Sequence, residues 1–229
     1  MFRELFEKRA SDRKNTALQA ERNGSFVRWT YADLWKTASA AAGNLRAGGV
    51  QKGDCVALYA DNSPEWVIAY IAVHLAGGVI VPLDAQFGEE ELRTLVPFAE
   101  CRGMIADPPH LELAGRVLPD LRLWGLEAGD NGVFSDNGNG NTLSEGFDAD
   151  EMMSVIFTSG TTGQPKGVQL TPRNIVSNID GILTQIHITD RDNILCVLPL
   201  HHAYASTAGV FSALAAGGTV TFSPSLRGQ

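Results

Sequence analysis

Between Cys55 and Ala106 the chain alternates short apolar runs with longer, helix-length stretches, and few folds accommodate that rhythm. Gly53-Asp54 turns into Cys55–Tyr59, five apolar residues bounded by turn chemistry, which read as a buried strand. A helix over Pro64–Ala76 follows, then a strand over Gly78–Val81, a helix over Glu89–Pro97 and a strand over Gly103–Ala106. Strands joined through helices lie side by side in parallel, because a parallel neighbour needs a long crossover. The expected class is therefore α/β, with open, mostly parallel sheets and helices on both faces.

The flanking segments carry sharper local signals. An N-terminal amphipathic helix gives way near Lys14 to a strand, Thr16–Ala20. Asn23-Gly24 is the dipeptide of a type I′ hairpin and leads into Phe26–Trp29. Thr30 caps a long helix, with Asp33 in place of the usual glutamate of a capping box, and Gly48-Gly49 ends it. After Pro108-Pro109 the pattern weakens, with a strand near Leu121–Trp124. Gly129–Asn141 is nearly all turn residues and reads as a mobile surface loop; it lacks the spacing and terminal glutamate of an EF-hand calcium loop. A second series begins at Ser154–Phe157. It continues with a helix over Pro172–Ile186, a strand over Ile194–Leu198, a small-residue helix over Ser206–Ala216 and a strand over Thr219–Phe222. The domain reading is a first α/β subdomain over residues 1–150 and the start of a second over 151–229.

Within that second series, residues 155–168 carry the most chemistry. The strand residues Val155, Ile156 and Phe157 open directly into Thr158, Ser159, Gly160, Thr161, Thr162 and Gly163, and Lys166 follows between Pro165 and Gly167. Glycines let the backbone approach a ligand and turn N–H groups toward it. The hydroxyls add donors and the lysine a compact positive charge, the composition that wraps a polyphosphate. The loop is not a Walker A loop. Counted from Gly160, proline stands where that motif has its second glycine, and Gly167 replaces the Mg²⁺-holding Ser/Thr. The Rossmann fingerprint is absent here too.

The string from Thr158 to Val168 resembles the signature loop of the adenylate-forming superfamily, which includes acyl- and aryl-CoA synthetases, peptide-synthetase adenylation domains and beetle luciferases. The resemblance implies ATP and a carboxylic acid giving an acyl-adenylate and pyrophosphate, with the loop holding the β- and γ-phosphates. Val197-Leu198-Pro199-Leu200-His201-His202-Ala203-Tyr204 is similar to that family's next motif. Aligned on Pro199, His202 takes the place of the histidine beside the substrate carboxylate and the α-phosphate. The stretch from Leu198 to Leu226 looks most like bacterial long-chain fatty acid CoA ligases or acyl-carrier synthetases, in which the following helix lines an acyl pocket. The implied cofactors are ATP and Mg²⁺, with coenzyme A or a carrier phosphopantetheine as acceptor. Both motifs follow strands, and ligands in open α/β sheets bind beyond the strands' carboxyl ends, so the two are expected to converge on one side of one sheet.

The whole-chain properties narrow the partners. A net charge of −8 over 229 residues, without a Lys/Arg run, speaks against nucleic acid or an anionic membrane. No third ligand stands at a suitable spacing beside the two histidines, so no zinc site is expected. Cys55, Cys101 and Cys196 are widely spaced, set in apolar strands, and read as buried thiols of a reducing cytoplasm. The longest apolar stretch, around Trp66–Leu83, is broken by His74, Gly77, Gly78 and Pro82 and reads as a buried helix and strand, not a membrane span. The resembled family's later motifs have no match in these residues. The reading is therefore the front portion of a larger ligase, inactive by itself and open to self-association through an exposed sheet edge. Two alternatives stay open: an NTPase with an atypical loop, and a non-catalytic nucleotide-binding module.

Overall fold

A computed structural model describes residues 1–127, 132–135, 148–158 and 166–223. The chain forms two compact units that interleave in sequence. One comprises residues 1–37, 62–64 and 173–229; the other comprises 38–61 and 65–172, so a linear division at residue 150 cuts through the latter.

The first unit is built on a four-stranded sheet ordered β2-β1-β10-β9. Its strands are β1 (Thr16–Arg22), β2 (Ser25–Thr30), β9 (Asn193–Cys196) and β10 (Thr219–Phe222). Only the β1–β2 pair is antiparallel. Asn23 and Gly24 both take positive φ, 52° and 77°, which is the type I′ geometry their identity predicts. Helix α1 is short, Phe2–Glu7, and does not run on toward Lys14; Phe2 and Phe6 pack edge-on against Phe211. Tyr31, at the start of helix α2 (Tyr31–Ala47), donates its hydroxyl proton to the carbonyls of Gly218 (2.7 Å) and Leu214 (3.1 Å). The Arg9 guanidinium lies 5.4 Å from the Tyr31 ring centroid and also fills the space a Cβ at Gly217 would need.

The second unit carries a six-stranded sheet ordered β6-β5-β3-β4-β7-β8. Five strands are parallel: β3 (Cys55–Tyr59), β4 (Val79–Leu83), β5 (Gly103–Ala106), β6 (Arg122–Gly125) and β7 (Ser154–Thr158). One face of β3 and β4, with Ala57, Tyr59, Val79 and Val81, packs with residues of helices α4 (Glu89–Phe98) and α5 (Pro108–Val117). The residues of the opposite face, Val56, Leu58 and Ile80, are also fully buried. Helix α3 (Pro64–Ala76) is buried nearly all round, as its predominantly apolar sequence requires. No helix among the described residues is long and apolar enough to cross a membrane.

The structure departs from the sequence expectations at identifiable places. Pro108 and Pro109 begin helix α5 where the pattern looked weak. Both occupy the first turn, which needs no N–H partners, and Asp107 caps it by accepting from the His110 N–H. Lys166–Leu170, where no element was expected, form strand β8, antiparallel to β7; helix α6 then starts at Pro172, as expected, and runs to Gln185. The small-residue helix divides into a π-helix, Ala205–Phe211, and a short helix α7, Ser212–Ala216. Much of 129–141 lies outside the described residues. Gly132 bridges Gly125, and buried Val133 donates its N–H to the Gly125 carbonyl while its own carbonyl accepts from Asn44. That part is docked and is no free loop. The three cysteines are only partly buried, and Cys101 lies outside any strand.

Candidate nucleotide and acid site

Strands β7 and β8 place the two described ends of the phosphate loop opposite each other. Their register pairs Thr158 with Lys166 and Phe157 with Gly167. Directly paired residues project from the same face of a sheet, so the Thr158 hydroxyl and the Lys166 ammonium share one side of the hairpin. Both are exposed. Ser159, Gly160, Thr161, Thr162 and Gly163 span the gap between them and lie outside the described residues. Gly167 has a local steric cause: a Cβ there would stand 3.0 Å from Cγ1 of Val155 and 3.7 Å from the Phe157 ring. A side chain after the lysine would require the Val155 side chain to give by a few tenths of an ångström at the root of the loop. The hairpin thus places one cation and one hydroxyl on the same face at the base of the loop.

The histidine turn belongs to the first unit. Strand β9 ends at Cys196, and the chain then turns at Pro199–His202, where the His202 N–H donates to the Pro199 carbonyl (3.2 Å). The carbonyl of His202 accepts from both the backbone N–H and the hydroxyl of Ser206, each at 3.1 Å. His202 is exposed, and its ring lies against that of His201 with centroids 4.0 Å apart. The backbone of the turn is therefore held while the imidazole faces outward. The π-helix begins three residues later; at its end the Ser212 N–H donates to the Thr207 carbonyl five residues back, and the Ser212 hydroxyl donates to the same oxygen (2.9 Å). Such π segments recur at functional sites.

Beside the turn lies a groove of about 540 Å³. Val197 and Leu198 line it from one side of the histidines, Tyr204, Ala208 and Gly209 from the other, and Ile186 from the end of α6. Tyr204 is 74% exposed and Ile186 56%. The small-residue character of this helix was legible in the sequence. The contribution of Ile182 and Ile186 was not, since their spacing on α6 is that of an ordinary core-facing stripe. Cys196 also lines the groove, and burial pushes its thiol up to about 11, so it is no ready nucleophile at neutral pH. Among the described residues no three His, Cys, Asp or Glu side chains converge as metal ligands. The loop and the turn do not leave the same sheet, as the sequence reading had them: β7 lies in the six-stranded sheet and β9 in the four-stranded one.

The profile of the AMP-binding enzyme family matches residues 6–227. The chain belongs to the AMP-binding enzyme family. Among curated relatives, it is 33% identical over 191 residues to a feruloyl-CoA synthase of Amycolatopsis, covering 83% of this chain and 38% of the relative. It is 31% identical over 202 residues to an oxalate–CoA ligase of Arabidopsis thaliana, covering 84% and 39%. A similar solved structure is o-succinylbenzoate CoA synthetase of Bacillus subtilis in complex with its acyl-adenylate intermediate. The TM-score is 0.82 at 25% identity, over 95% of this chain and 55% of that one. This chain therefore spans less than half the length of those two curated relatives.

Proposed function

We propose that these residues serve an ATP-dependent acid–thiol ligase. In the first step a carboxylate oxygen attacks the α-phosphorus of ATP, the bond to the β-phosphate oxygen breaks, and pyrophosphate departs. In the second a thiolate attacks the acyl carbonyl and AMP leaves with the electron pair of the cleaved C–O bond. The thiol is coenzyme A or a carrier phosphopantetheine. The observation that carries this reading is the family match over residues 6–227, with the hairpin base that pairs Thr158 with Lys166.

Each named residue has a physical task. Lys166 neutralises β/γ-phosphate charge, and Thr158 with Ser159, Gly160, Thr161, Thr162 and Gly163 supplies hydroxyl and backbone donors around it. His202 donates a hydrogen bond at the reacting carboxylate and α-phosphate, where preorganised donors act on developing charge. Mg²⁺ accompanies ATP in such chemistry; among the described residues no three His, Cys, Asp or Glu side chains converge as a ligand set for it. The apolar groove beside the turn supports an acid with an apolar body, a fatty acid among them.

Acid-dependent exchange of pyrophosphate into ATP tests the reading in a polypeptide extended to the length of the relatives. Exchange is expected there and not with this segment alone, which spans less than half the length of those relatives. Lys166→Ala should weaken ATP binding by about tenfold or more, the scale of a lost charge-assisted contact. Unchanged ATP affinity would count heavily against the reading. ATP hydrolysis that ignores every added acid would favour an NTPase instead.

A further inference from the structure

Residues 62–64 stand between β3 and α3 in sequence, yet they belong to the first unit with the histidine turn. The side chain of Asn62 makes the connection. Its Nδ2 donates to the Leu198 carbonyl at 2.8 Å, and its Oδ1 accepts from the Leu200 N–H at 2.9 Å. A longer contact runs from Nδ2 to Sγ of Cys196, 3.6 Å. The amide therefore brackets Pro199, bonding the peptide groups on either side of it. Its orientation follows from those partners, since a carbonyl can only accept and an N–H can only donate.

The turn needs such a partner for a simple reason. Strand β9 ends at Cys196, so the ladder to β10 offers nothing to residues 198–200, and Pro199 has no N–H of its own. Asn62 presents a donor and an acceptor in one plane, as a neighbouring peptide group would. From there the hydrogen bonds run on without a gap: the Pro199 carbonyl takes the His202 N–H, and Ser206 takes the His202 carbonyl. Leu200, fixed between these bonds, is fully buried.

We propose that Asn62 is a positioning residue: it sets the Leu198–His202 turn and, through it, the place of the His202 imidazole. The inference rests on the reading of His202 given above. No other side chain of similar size satisfies both peptide groups. Aspartate would set a carboxylate against the Leu198 carbonyl, and leucine would leave both groups unmet.

Two measurements decide it. In the extended enzyme, Asn62→Ala should lower the rate constant of pyrophosphate exchange by about a hundredfold, the cost of misplacing a reacting group by an ångström. The KM for ATP should change far less. In a His202→Ala background the same substitution should cost less than about threefold, because its effect passes through His202. Equal losses in the two backgrounds would overturn the proposal. In the present chain, Asn62→Ala should speed hydrogen exchange at the Leu200 amide while amides bonded between β9 and β10 stay protected. An unchanged Leu200 amide would overturn it independently of any activity. The isosteric Asn62→Asp keeps the fold volume and should show the same non-additive loss if Asn62→Ala does not fold. A wild-type enzyme without acid-dependent exchange would sink the ligase reading alone, and Leu200 would still decide whether Asn62 holds the turn.

Discussion

Strands β4 and β9 are both short and both pair in parallel, yet they live in opposite environments. Every residue of β4 is buried, and the strand has neighbours on both sides, β3 and β7. Strand β9 is an edge with β10 as its one neighbour, and its residues alternate between exposed and partly buried. The same contrast sets β7 against β8: β7 is buried through Ile156, while β8, an edge strand, is exposed over Lys166–Gln169. Each candidate motif adjoins an edge strand: the loop leaves β7 and ends at Lys166, which opens β8, and the histidine turn follows β9. Burial is concentrated at the centre of the six-stranded sheet, while the candidate site residues stand at the margins, where side chains are exposed.

The largest expected effect tests that division. Leu58 is fully buried on β3, and Leu58→Ala should destabilise the chain by about 2–5 kcal/mol through lost burial and the cavity left behind. Leu195, on β9, is 49% exposed, and Leu195→Ala should cost less than about 1 kcal/mol. Denaturant midpoints of the two variants, compared at a common slope, measure the difference. Similar losses would mean the β9 edge is part of the structural core after all.

The same contrast explains what the sequence could announce. The strand limits Cys55–Tyr59 and Gly103–Ala106 and the helix limits Pro64–Ala76 match the structure, because uniform burial leaves long apolar runs between clear breakers. The hairpin at Asn23-Gly24 was equally legible, since few residue pairs accept positive φ in succession. Strand β8 was not. Its face is exposed, so Lys166–Leu170 has no apolar period, and its only signature is the pairing with β7. Nor could the division into units be read, for it depends on β1 meeting β10 across about two hundred residues, Leu18 opposite Val220. Local patterns carry no trace of such a pairing. At the candidate site the loop and the histidine were readable as residue types, but Asn62 looked like no more than a residue before a helix start. What makes it a candidate for function is its two hydrogen bonds to the turn, 136 and 138 residues away.

A smaller effect sharpens the comparison at an exposed helix start. Thr30 and Asp33 form a reciprocal capping box at the entry to α2. The Thr30 hydroxyl accepts from the Asp33 N–H (3.1 Å), and the Asp33 carboxylate accepts from the Thr30 hydroxyl (2.7 Å) and N–H (3.0 Å). Those two donors, the hydroxyl first, hold the Asp33 carboxyl below its ordinary value. A carboxyl depressed in the folded state binds its proton more weakly there than in the unfolded chain. Its contribution is thus fully present above the ordinary carboxylate range and fades as pH falls through the depressed value. Asp33→Ala should therefore lower stability by about 1 kcal/mol at neutral pH, the usual worth of a capping interaction. Paired thermal melts of wild type and variant from pH 7 downward check the sign: the gap should stay constant to about pH 5 and then close toward acid. A gap that widens toward acid would mean the carboxylate is not what stabilises the cap. A constant gap would mean that the ionised carboxylate contributes nothing to the cap, since alanine at this position raises helix propensity and does not lower it.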